Sequence, residues 1–330
     1  MEANQAETEP GLRGAYRTVS PAARELFDAE FLGQLEYLRI VSRRAFAGVH
    51  PASRRGKRPG AGLEFAEHRP YTTGDDFRYL DWAAYGRLEK LLLRLFQQDE
   101  DLAIALLVDV SDSMLVGRAE TSSAPTKTRK VDLARQLAAA LAYIGLSNLD
   151  RIRLSVFADG EAAVLKTRRG RGQIFSVLDF LATAPLGGPT GLLRAAEQFE
   201  RQASGPGLVV VLSDFLDLPD GADGPAGYES ALGLLAHRGH EVWALRVEAP
   251  EEIHPPWQGE AALIDAETGQ ERRVRLTPEV VAAYERDRTK FVERFERWTT
   301  EHGIAHLGTR TDLAVDKLVL EVFRRGGFLK

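Results

Sequence analysis

Seven apolar residues in unbroken succession, LAIALLV (102–108), run straight into a polar turn that begins at Asp109. The run is far shorter than the ~18 apolar residues of a membrane span, and it lacks the alternation that would leave one face in water. It reads as a β-strand covered on both faces, which in practice means a parallel sheet with helices above and below. A second run of this kind, GLVVVLSD (207–214), ends the same way at Asp214. Around them, helical patterns alternate with strand-like stretches: VDLARQLAAALAYIGL, RIRLSVFA, AAVLK, GQIFSVLDFLATA, LLRAAEQFERQ, YESALGLLAHR and HEVWALRV. The alternation predicts an α/β fold with a doubly wound, mostly parallel sheet flanked by helices.

Residues 262–275 predict a hairpin around Thr268-Gly269, and Pro278 opens a long helix to about Glu301. IAHLGT then reads as a last strand and DLAVDKLVLEVFRR as a last helix. Upstream, residues 1–20 are polar and aperiodic and read as a disordered tail. Residues 21–100 read as a separate amino-terminal segment: a helix from Pro21, a basic loop from Arg43 to Pro59, and a region of mixed aromatics and charges. The sheet domain occupies 101–330.

Composition removes several functions. The chain has no cysteine, which excludes a disulfide scaffold, a thiolate zinc site and a cysteine nucleophile. With 43 Lys+Arg against 48 Asp+Glu, the net charge of −5 is opposite to that of a dedicated duplex binder. No secretory signal and no membrane span are found, and the default expectation is a cytoplasmic protein.

The chemistry gathers at the strand ends. In an open α/β sheet, ligands bind beyond the carboxyl ends of the strands. There the first strand presents Asp109, Ser111 and Ser113 in the spacing D-x-S-x-S. One carboxylate and two hydroxyls on one turn suit a hard divalent cation, Mg2+ first, with Mn2+ or Ca2+ as alternatives. Thr190, in the glycine-rich loop LGGPTG, and Asp214 would converge on the same point. This pattern resembles the metal-ion-dependent adhesion site of von Willebrand factor A domains. The alternative is that Asp109 and Ser113 only cap the turn, which leaves Asp214 unexplained.

The segment before the sheet resembles a narrower family, the bacterial domain of unknown function fifty-eight. The resemblance rests on Gly62, Glu64-Phe65, Glu67, Arg69, Tyr71, Gly74-Asp75-Asp76, Arg78, Asp81-Trp82, Arg94 and Glu100, and on the hairpin residues Asp265 to Gly269. It implies a von Willebrand factor A-like domain that works with a MoxR-type AAA+ ATPase, and a protein partner whose carboxylate completes the metal shell. Asp112, Met114 and Gly191 beside the site, with Asp75 and Asp76, are the candidate partner contacts. Many members carry Asp where this chain has Gly191, a departure expected to loosen the loop.

The rival readings are an enzyme and a polyanion binder. Ser111 and Ser113 lack a G-x-S-x-G elbow, no phosphate-binding G-x-x-x-x-G-K-[ST] occurs, and a metal-dependent hydrolase would need further carboxylates or histidines. The basic run from Arg43 to Arg58, with Arg168, Arg169 and Arg171, could meet phosphates, or it could face acidic parts of its own chain. The expectation is a binding module and not an enzyme.

Overall fold

The computed structural model describes residues 19–46, 55–59, 64–73, 75–99, 103–116, 128–216 and 226–325. The chain forms two units, residues 1–45 with 103–330 and residues 46–102. The expected tail lies outside the described residues as far as residue 18.

The first unit opens with helices α1 (Pro21–Leu26) and α2 (Ala29–Phe46). Ser20 and Pro21 start α1 as a polar cap followed by a proline with preset φ. The sequence reading grouped these helices with the segment that follows, but they belong to the sheet domain. Their apolar stripe, Phe27, Phe31, Leu32, Leu35 and Leu38, is buried. Three polar contacts tie them to it: Ser20 N–H to Asp179 (2.7 Å), Gln136 to the Leu26 carbonyl (3.1 Å) and Arg171 to Glu36 (2.7 Å).

The second unit is a small antiparallel sheet of β1 (Arg55–Pro59), β2 (Glu64–Pro70) and β3 (Leu92–Asp99), in the order β1-β3-β2, with the short helix α3 (Trp82–Leu88). The basic stretch was expected to be a loop. Its end is a strand instead, because β3 supplies a ladder pairing Arg55 with Asp99 through to Pro59 with Leu95. Phe77 and Trp82 are more than half exposed.

The sheet of the first unit contains β4 (Ala103–Asp109), β5 (Arg151–Ala158), β6 (Gly160–Arg168), β7 (Leu208–Ser213), β8 (Glu241–Glu248) and β11 (Ala305–Arg310). Its order is β11-β8-β7-β4-β5-β6; every neighbouring pair is parallel except β5 with β6. Between β4 and β5 runs α4 (Lys130–Ser147), buried almost all round because Ala, Val and Leu occupy every face. Helices α5 (Ile174–Thr183) and α6 (Leu192–Gln202) connect β6 to β7; α6 buries Leu192, Ala195, Ala196 and Phe199, a stripe at helical spacing. Helix α7 (Gly227–His237) leads to β8. After the turn α8 (Pro250–Ile253) come β9 (Gly259–Ile264) and β10 (Glu271–Leu276), the expected hairpin, then α9 (Pro278–Glu301) and, beyond β11, α10 (Val315–Arg325).

Chain order along the sheet is therefore 3-2-1-4-5-6, with the reversal of winding between β4 and β7. Both strands are buried on both faces, as their unbroken apolar runs require. The crevice of such a sheet opens where these two strands end.

Candidate metal centre

Asp109 ends β4 and is fully buried. Its Oδ1 accepts the Ser111 N–H (2.9 Å) and its Oδ2 accepts the Ser213 hydroxyl (2.6 Å). Ser213 ends β7, and its Oγ also accepts the Phe215 N–H (3.0 Å), so one hydroxyl joins the two strand ends. Phe215 takes a left-handed φ of 57°, a strained conformation for a bulky residue. Its ring is buried against Tyr228 and Phe295, which anchors the turn carrying Asp214.

Asp214 meets a residue that sequence reading missed. The wholly buried Lys130, first in α4, donates to Asp214 Oδ2 (2.8 Å) and to Glu252 Oε1 (2.6 Å). Asp214 Oδ1 accepts the Leu216 N–H (3.1 Å). A lysine at a helix amino terminus stands against the helix dipole and needs carboxylates to hold it there. Such misplaced charge is the one signal that could have found it. Burial pulls the Lys130 ammonium down, but Asp214 and Glu252 outweigh burial and hold it above its ordinary value.

The Asp109 carboxyl behaves oppositely. Burial, followed by the charge of Asp214, pushes it up to about 7 against the hydrogen bonds from Ser213 and Ser111. Among the described residues it has no ion pair. Ser111 is buried, and its Oγ lies 3.1 Å from Ser113 Oγ.

The Thr190 loop is laced to this turn. Gly187 N–H donates to the Val110 carbonyl (2.8 Å) and Asp112 N–H to the Gly188 carbonyl (2.9 Å). Gly187 has φ of 96°, and a Cβ there would lie 2.9 Å from Asp112 Oδ1. Gly191 does not loosen the loop: a Cβ on it would stand 2.9 Å from the Ala158 carbonyl, so glycine lets the loop close on the β5–β6 turn. Buried Arg135 of α4 donates to the Ala184 carbonyl (3.3 Å) where the loop begins. Thr190 gives both its N–H (3.1 Å) and its hydroxyl (2.6 Å) to Glu267, at the tip of the β9–β10 hairpin. Glu267, Ser213, Lys130 and Glu252 are the participants the sequence did not mark.

The other candidates fall elsewhere. Met114 is fully buried and offers no surface to a partner. Asp75 pairs with Arg69 (2.7 Å) and Thr72, Asp76 with Arg78 (2.6 Å), and buried Asp81 caps α3 and meets His68 (2.8 Å), all within the second unit. His240 pairs with Glu200 (2.8 Å), and His302 sits on the Trp298 carbonyl at a helix end (2.8 Å). Of the basic cluster, Arg171 is committed to Glu36 and the Tyr143 hydroxyl; the side chains from Arg43 to Arg58 lie outside the described residues.

The donor set suits a hard cation. Asp109, Ser111, Ser113 and Thr190 offer only oxygen, and a buried carboxylate without a counter-charge is the group that a cation would relieve. Asp214 and Glu252 share the Lys130 ammonium, while Asp109 lacks a cationic partner among the described residues. Among the described residues there is no grouping of three or more His, Asp or Glu ligands.

The winding order, the single antiparallel strand and the polar segments at the switch point define a doubly wound α/β domain of the von Willebrand factor A-like type. Within that class, the chain belongs to the family described as Protein of unknown function DUF58, which matches residues 67–293. Uncharacterized protein Rv1480 of Mycobacterium tuberculosis is 31% identical over 258 residues, covering 77% of this chain and 76% of that protein; Uncharacterized protein Mb1516 of Mycobacterium bovis matches to the same extent. Among solved structures, an aerotolerance-related membrane protein from Bacteroides fragilis aligns with a TM-score of 0.42 at 17% identity, over 68% of this chain and 98% of that one. The conserved hypothetical protein BatB from Bacteroides thetaiotaomicron aligns with 0.38 at 16% identity, over 68% and 99%. No helix among the described residues is long and apolar enough to cross a membrane.

Proposed function

We propose that this protein is a metal-dependent protein-interaction module, without catalytic activity of its own, that serves a MoxR-type AAA+ ATPase in the cytoplasm during assembly or maturation of other proteins. Mg2+ would be held by Asp109, Ser111, Ser113 and Thr190. Asp214, whose two oxygens already accept from Lys130 and Leu216, would act through water. The ion then sees a single direct protein carboxylate, and its residual charge favours one from outside. The observation that carries this reading is the buried Asp109 carboxylate at the switch point, hydrogen-bonded to its surroundings and lacking a counter-cation.

The test is a thermal melt of the full chain against Mg2+, followed by mixing with the purified ATPase in Mg2+ and in EDTA. Mg2+ at a hundred times its Kd should stabilise the wild type by about 2.7 kcal/mol. Asp109→Ala should abolish that gain, and EDTA should release the ATPase. A complex that survives both EDTA and Asp109→Ala at full strength would sink the metal bridge.

A further inference from the structure

Glu267 reaches Thr190 across 77 positions of sequence, from the tip of a hairpin that otherwise stands in solvent. Leu263 and Ile264 on β9 are 46% and 67% exposed. A two-stranded ribbon on its own is marginally stable in water. Among the described residues, the side-chain hydrogen bonds that tie this hairpin to the rest of the domain are the two from Thr190 to Glu267.

The tip is built to present that carboxylate. Asp265 Oδ1 accepts the N–H groups of Glu267 (3.1 Å) and Thr268 (2.7 Å), and Gly269 closes the turn with φ of 69°. Glu267 Oε1 then takes both donors of Thr190, backbone and hydroxyl. The hydroxyl spends its one proton on Glu267 and keeps its lone pairs. Glu267 thus stands one hydrogen bond from a candidate ligand, in an exposed position that a carboxylate arriving from outside could also reach. An exposed, charge-assisted contact of this kind is strong enough to order a loop and weak enough to be exchanged.

We propose that Glu267 is the chain's own carboxylate for the metal centre, which makes the β9–β10 hairpin a displaceable cap. It closes the site when no partner is bound, and an acidic partner must push it aside. This inference rests on the metal-centre reading above.

The experiment uses the full chain and Mn2+ alone as the probe, with metal affinity and backbone hydrogen exchange of residues 259–276 as readouts. Glu267→Gln is compared with the wild type and with Glu271→Gln, an exposed carboxylate on the same hairpin. Mn2+ should slow exchange at the tip severalfold in the wild type and in Glu271→Gln. In Glu267→Gln that protection should vanish, and Mn2+ should bind about tenfold more weakly. Equal Mn2+ affinity for wild type and Glu267→Gln, with hairpin exchange indifferent to metal, would overturn the cap and leave the metal centre standing. A wild type that binds no Mn2+ would remove the metal centre and the cap together.

Discussion

Asp109 and Lys130 are both buried at the top of the sheet, and the charge of each depends on what surrounds it. Folding lifts the Asp109 pKa from 3.8 to about 7, so the native state keeps a proton that the unfolded chain has released. That contribution to stability is fully present below the unfolded value and is lost as pH rises through 7. In EDTA, urea midpoints of the wild type should therefore fall relative to those of Asp109→Asn between about pH 4 and about pH 7. A parallel pH course for the two proteins would show that Asp109 does not titrate there. Lys130 poses the complementary case, a cation whose removal strands two partners. Lys130→Met should cost about 3–5 kcal/mol in urea unfolding because Asp214 is left buried and uncompensated. Adding Asp214→Asn should recover much of that loss, and the double-mutant cycle measures how much.

At the scale of elements, a segment was legible where its burial was uniform or its period clean. β4 and β7 announce themselves because both faces are covered, and α6 because its apolar stripe repeats at helical spacing. The turn at Asp109 could be placed once β4 was, and with it Ser111 and Ser113. The small sheet was hidden because Arg55 to Pro59 has no apolar alternation; its pairing with β3 is a property of two segments, not one. Glu267 was hidden for a related reason, since its contact joins two loops far apart in sequence. Lys130 escaped because a lysine opening an Ala-rich helix reads as a solvated end, and only the positions of Asp214 and Glu252 make it a core residue.

At the scale of the molecule, the first unit is discontinuous in sequence, with residues 1–45 joined to 103–330 around the second unit. The amino-terminal helices are structural members of the sheet domain and not an appendage. Leu35 of α2 is fully buried, so Leu35→Ala should lower the stability of the sheet domain by about 2–5 kcal/mol. The loss should appear in the near-ultraviolet signal of the core aromatics as well as in helix content. If only a little helical signal melted early while those aromatics kept their midpoint, α1 and α2 would be an independent appendage.

That discontinuity sets an order of events on the ribosome. Ser20 donates its N–H to Asp179, a residue translated 159 positions later. Helices α1 and α2 precede the second unit in sequence, yet their partners Asp179 and Arg171 are not made until the whole second unit and half of the sheet have been translated. Their apolar stripe must wait exposed through that interval, which at typical elongation rates lasts on the order of ten seconds. The nascent chain thus carries an exposed apolar stripe, open to aggregation or to chaperones, until these helices can dock on segments made well after them.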